Sequence, residues 1–117
     1  MPQLELDHVQ LCGIPAFAVS GELDMSNAPA LERALDRAVA RSVGAFVVDF
    51  CDVAFLDSSA ISVLMRTRAL LGRDDRTLVL VCPPGAVRRV FGLAGVEDLF
   101  TVFNSRADAA AALVPAD

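Results

Sequence analysis

LELDHVQL, residues 4–11, alternates apolar and polar side chains as a strand with one buried face does. Cys12 and Gly13 interrupt the alternation, and IPAFAVSG, residues 14–21, predicts a second strand close enough to pair with the first as a hairpin. The period then changes. Ala28, Leu31, Leu35, Ala38 and Val39 fall on one face of a predicted helix, with Ser26 or Asn27 as its cap and Pro29 in its first turn. Gly44 precedes AFVVDF, residues 45–50, whose apolar run with little alternation is expected of a strand covered on both faces.

FLDSSAISVL follows at residues 55–64 and predicts a helix running to Leu71, with Gly72 as the residue that ends it. RDDR is a polar turn, and TLVLVC, residues 77–82, is another buried strand. Pro83 and Pro84 lead into a helix in which Val87, Val90, Phe91 and Ala94 recur at helical spacing, and Gly95 closes it. FTVF is a short last strand, and Asn104 or Ser105 caps a final helix, RADAAAALV. The order ββαβαβαβα predicts an α/β fold, with a mixed, mostly parallel sheet flanked by about four helices. No repeat, linker or low-complexity segment divides residues 1–117, so one domain is expected.

Charge narrows the partners. The net charge of −5 argues against a nucleic-acid or anionic-membrane surface, which would need basic patches. All 10 basic residues are arginine, so no lysine is available for catalysis. The first residues carry neither a basic n-region nor a continuous apolar stretch, and no run approaches the roughly 20 apolar residues that span a bilayer. Cys12, Cys51 and Cys82 are odd in number and lack a CxxC pair, which suits a reducing cytoplasm. Cys51 and Cys82 both lie near strand ends. An approach of the two, open to oxidation, is therefore one expectation; inert buried thiols are the other.

Catalytic templates are missing. The one histidine, His8, sits in the first strand, and no GxSxG, Walker lysine or HExxH occurs. GLAG, residues 92–95, falls at a helix end rather than between a strand and a helix start, so it is no dinucleotide fingerprint. The carboxylates Glu22, Asp24, Asp49, Asp52 and Asp57 fall near strand ends, where some can share one edge of the sheet. Capping and loop solvation explain them better than a metal site or an acid–base pair, and a non-enzymatic protein is expected.

Asp57, Ser58 and Ser59 are good helix caps, and a cap is all that most such triplets are. Their position adds a second reading. A turn after a parallel strand lies at the edge where α/β folds place their sites, and a serine at a helix N-terminus can carry phosphate against free N–H groups. Phosphate would add roughly −1.5 to −2 charges at one spot and so switch a binding surface without catalysis by the domain.

SGELDMSNAPALERAL, VVDFCDVAFLDSSAISVL and LVLVCPPGAVRRVFGLAGVEDLF together resemble the STAS-domain family, and within it the bacterial anti-sigma-factor antagonists. The resemblance is collinear over nearly the whole chain. It implies that Ser58 accepts phosphate from a partner that is both anti-sigma factor and serine kinase. It also implies that the unphosphorylated protein binds this partner and frees the sigma factor, and that a metal-dependent serine phosphatase reverses the modification. ATP then belongs to the kinase, and the chain itself needs no cofactor. By the same resemblance, Asp24, Asp57 and Ser59 surround the phosphoacceptor. Ala60 and Ser62 stand where the family usually has glycine, which implies a stiffer helix and a methyl group at Ala60 where a partner approaches. The alternative within the same fold is a constitutive interaction subunit, for example of a lipid-transport ATPase. Arg66 and the pair Arg88–Arg89 are candidate partner contacts or ordinary solvated arginines.

Overall fold

Strands Glu5–Leu11 (β1) and Ile14–Leu23 (β2) pair antiparallel, with Leu11 opposite Ile14 and Glu5 opposite Ser20. The computed structural model describes residues 4–11 and 14–113, so Cys12, Gly13 and the last residue of the predicted closing helix, Val114, lie outside the described residues. After β2 come helix Ala28–Ala40 (α1), strand Phe46–Leu56 (β3), helix Ser58–Gly72 (α2) and strand Leu78–Val81 (β4). Helix Ala86–Leu93 (α3), a 3₁₀ turn at Glu97–Leu99, strand Thr101–Phe103 (β5) and helix Arg106–Leu113 (α4) complete the order.

The five strands lie in chain order, β1-β2-β3-β4-β5, with β2 to β5 parallel. Every parallel crossover therefore steps in the same direction. Right-handed crossovers of that kind put their helices on one face of the sheet. The alternation along β3 shows the consequence. Phe46, Val48 and Phe50 join the larger core beneath α1, α2 and α3 with Leu31, Leu35, Leu64 and Phe91. Val47 points the other way, into a smaller cluster with Val79, Val81 and Ala109 and Ala110 of α4.

Several details differ from the sequence reading. β2 and β3 both run further, because Leu23 pairs with Leu56 beyond two register shifts, and Leu23, Val53 and Leu56 are buried there. Polar residues at Asp49 and Asp52 hide this continuation from a reading based on apolar runs. Gly72 is the last residue of α2 rather than the residue beyond it, and the left-handed turn falls on Asp75 (φ 56°). The 3₁₀ turn was not anticipated; it has no apolar periodicity to reveal it. Gly95 does end α3, at φ 71°, while the Val96 amide reaches back to the Phe91 carbonyl at 3.2 Å.

Candidate functional site

The carboxyl ends of β2 and β3 meet at one edge of the sheet. Leu23 is paired with Leu56, and the Asp57 amide donates to the Leu23 carbonyl at 3.1 Å. The two following turns are thereby joined, one carrying Asp24 and the other Asp57, Ser58 and Ser59. Helix α2 starts abruptly because Asp57 is its N-cap: extended backbone at φ −116°, with Oδ1 accepting from the Ser59 amide at 2.9 Å. The cap is therefore Asp57. Ser58 is free of that duty.

Ser58 is exposed in the first turn, and among the described residues its hydroxyl makes no hydrogen bond within the protein. Ser59 is half-buried. Ala60 is fully buried in the larger core, so its methyl group faces inward and not toward an approaching partner. Ser62 is exposed one turn on, and its hydroxyl donates to the Ser58 carbonyl at 3.1 Å.

The opposing turn is held by its own side chains. Asn27 was expected as a helix cap and occupies the cap position, but its side chain does other work. It accepts from the Asp24 amide at 2.9 Å and donates to the Glu22 carbonyl at 2.7 Å. Asp24 accepts from both the hydroxyl and the amide of Ser26, and these bonds hold its carboxyl below the ordinary range. Met25 and Phe55 stand exposed on the same edge, 77 % and 48 % accessible, beside the polar turns. Sequence reasoning missed both as surface residues. The available signals were an apolar residue inside a polar turn and one beside the capping aspartate.

Glu22 lies at this edge, opposite Phe55, whereas Asp49 and Asp52 do not join it. Asp49, only 4 % exposed, and Asp52 pair with Arg106 at the start of α4, on the other face of the sheet. Burial opposes ionisation of Asp49. The Arg106 guanidinium and the hydrogen bonds from Cys51 outweigh it and keep the carboxyl low. Among the described residues no group of three His, Cys, Asp or Glu side chains can hold a metal ion.

The cysteine pair is also separated. Cys51 lies within β3, not after it, and packs against the smaller cluster; Cys82 belongs to the larger core on the opposite face. Both thiols are free, and their opposite faces remove the alternative in which the two approach. Arg66 bridges α2 to α1 through Glu32 and Asp36, at 3.2 and 2.7 Å. Arg88 is half-buried and binds Glu97, the Cys82 carbonyl and Asn104, whereas Arg89 is exposed.

The exposed Ser58 thus follows a capping aspartate in a turn tied to the Asp24 turn. The STAS domain family matches residues 5–109. The chain belongs to the STAS family. The STAS domain is 32% identical over 97 residues to the anti-sigma-F factor antagonist RsfB of Mycobacterium tuberculosis, covering 83% of this chain and 79% of that one. It superimposes on the crystal structure of an anti-sigma factor antagonist from Mycobacterium paratuberculosis with a TM-score of 0.84 at 33% identity, covering 95% of this chain and 94% of the other. Unphosphorylated SpoIIAA, an anti-sigma factor antagonist, shares the fold with a TM-score of 0.72 at 18% identity, covering 98% and 100% of the two chains. Among the described residues of the STAS domain, no helix is long and apolar enough to cross a membrane.

Proposed function

We propose that this STAS domain is an anti-sigma-factor antagonist switched by phosphorylation of Ser58. The single observation that carries the reading is the free hydroxyl of Ser58, exposed in the first turn of α2 beside a cap that Asp57 alone supplies. The similarity to RsfB supports an anti-sigma factor as the partner. In the unphosphorylated state the edge formed by Asp24, Met25, Phe55 and Ser58 contacts that partner, with the two exposed apolar side chains supplying buried area and the acidic turns setting register.

The partner, acting as a serine kinase, transfers the γ-phosphoryl group of ATP. The Ser58 Oγ–P bond forms, the bond to ADP breaks, and a kinase base takes the hydroxyl proton. The phosphate then sits at the positive end of the α2 dipole, so the fold is preserved. The added charge meets Asp24 and Asp57 on the same edge and repels an acidic or close-fitting surface. A metal-dependent serine phosphatase restores the binding form. The domain binds and is modified in the cytoplasm, and it catalyses nothing itself.

Incubation with the cognate anti-sigma kinase and ATP, followed by peptide mass mapping, tests the reading. One phosphate is expected on Ser58, none on Ser58→Ala, and loss of kinase binding after transfer. Stoichiometric phosphate on Ser58→Ala would overturn the assignment. Tight binding without transfer would instead identify a constitutive interaction module.

A further inference from the structure

The opposite end of the sheet carries a cavity that the proposed switch does not use. At the amino-terminal edge, Phe17 of β2, Phe46 of β3 and Ala38 of α1 line a pocket of about 370 Å³, and Val43 of the α1–β3 loop stands at its rim. The three lining residues are at most 7 % exposed, whereas Val43 is 90 % exposed.

The rim is held in place before anything binds. Gly44 takes φ 73°, a left-handed turn suited to glycine, and Arg76 clamps the loop from behind. Its guanidinium donates to the Gly44 carbonyl at 2.8 Å, the Val39 carbonyl at 3.1 Å and the Ser42 hydroxyl at 2.7 Å. Pockets built on locked elements lose less entropy when they bind.

Charge selects the occupant. Among the described residues no carboxylate lines this pocket, although the chain carries a net charge of −5. The other large groove, over β1 to β3 on the α4 face, is lined by Glu5, Asp7, Asp49 and Asp52 against the cation Arg106. Here the lining cation is Arg41, which enters no ion pair among the described residues. His8 lies beside it, with its ring edge-on to Phe17 at a centroid distance of 5.2 Å. The volume sits at the lower end of the roughly 300–1,000 Å³ usual for small-molecule pockets, enough for one alkyl chain or one ring.

We infer that this pocket binds a small free amphiphile with an apolar body and a carboxylate head, the body on Phe17, Phe46 and Val43 and the head on Arg41. The site is at the far end of the strands from Ser58 and is independent of the phosphorylation reading.

Decanoate below its micellar concentration is the probe, titrated into the full chain and followed by amide and methyl NMR shifts. Shifts confined to Phe17, Ala38, Val43 and Phe46 are expected, with decanoate binding about tenfold more tightly than decanol through its charge-assisted bond to arginine. Arg41→Gln should erase that difference. Val43→Glu, at a position too exposed to disturb folding, should weaken decanoate by at least as much while leaving the thermal midpoint unchanged. No localised shifts, equal affinity for decanol, or indifference of decanoate to both substitutions would each overturn the proposal.

Discussion

Asp57 donates its backbone amide to the carbonyl of Leu23 at 3.1 Å, so the turn that opens α2 is tied to the turn that leads into α1. That bond makes one edge out of two segments more than thirty residues apart in sequence. The Asp57 side chain then starts the helix, and these two roles leave Ser58 unencumbered.

Replacing Asp57 by alanine should destabilise the fold by about 1 kcal/mol, the ordinary cost of losing an N-cap. Asp57→Asn keeps an acceptor and should cost at most a few tenths of that. Urea unfolding midpoints measure both. Ser58→Ala should leave the midpoint within about 0.5 kcal/mol of the parent, because no internal hydrogen bond is lost.

Arg106 and Asp49 give a pH signature. The folded Asp49 carboxyl is held below its unfolded value, so its stabilising contribution is present above that value and is lost as pH falls through the folded one. With Arg106→Gln, burial remains and the cation is gone, so the ionised form of Asp49 loses its main compensation in the fold. The variant should be about 1–3 kcal/mol less stable at pH 7, and the deficit should shrink below about pH 4. Thermal or urea melts across pH 3 to 7 read the sign directly.

The two described thiols should be quiet. Burial, followed by the hydrogen bond and charge of Asp49, pushes the Cys51 thiol up to about 12, and burial raises Cys82 as well. Alkylation of the folded protein at pH 8 should therefore be slow relative to the unfolded chain, and mass mapping under oxidant should find no Cys51–Cys82 bond.

Arg76→Ala should release the loop that follows α1. Three hydrogen bonds disappear, and amide exchange at Val43, Gly44 and Ala45 should accelerate while α2 keeps its protection. Hydrogen exchange read by NMR separates this local opening from global unfolding.

Much of this was legible in the chain. Helical spacing of Leu31, Leu35 and Ala38 and the apolar runs of β3 and β4 report burial directly, because a face that must meet the core has to be apolar at the period of its element. The order of those elements was enough for a mostly parallel sheet, and the STAS resemblance carried by GELD and FLDSS implied Ser58 as the phosphoacceptor. Other features have no local sign. Asn27 looks like a cap, and only the folded turn shows its side chain joining Asp24 to Glu22. Asp49 looks like a polar residue near a strand end that solvent would cover; it is buried, and Arg106, far along the chain, arrives from α4 to pair with it. Cys51 and Cys82 seemed close by position, yet successive strand residues point to opposite faces, and register alone assigns each thiol its side.

Local chemistry therefore determined the elements, their order and the capping triplet that opens α2, since capping and periodicity depend on neighbours within a few residues. Tertiary structure decided which turns share an edge, which carboxylates are neutralised by a distant arginine, and that a pocket opens beneath Val43. Those are consequences of strand register and of which face each helix covers, and they exist only once the sheet is assembled.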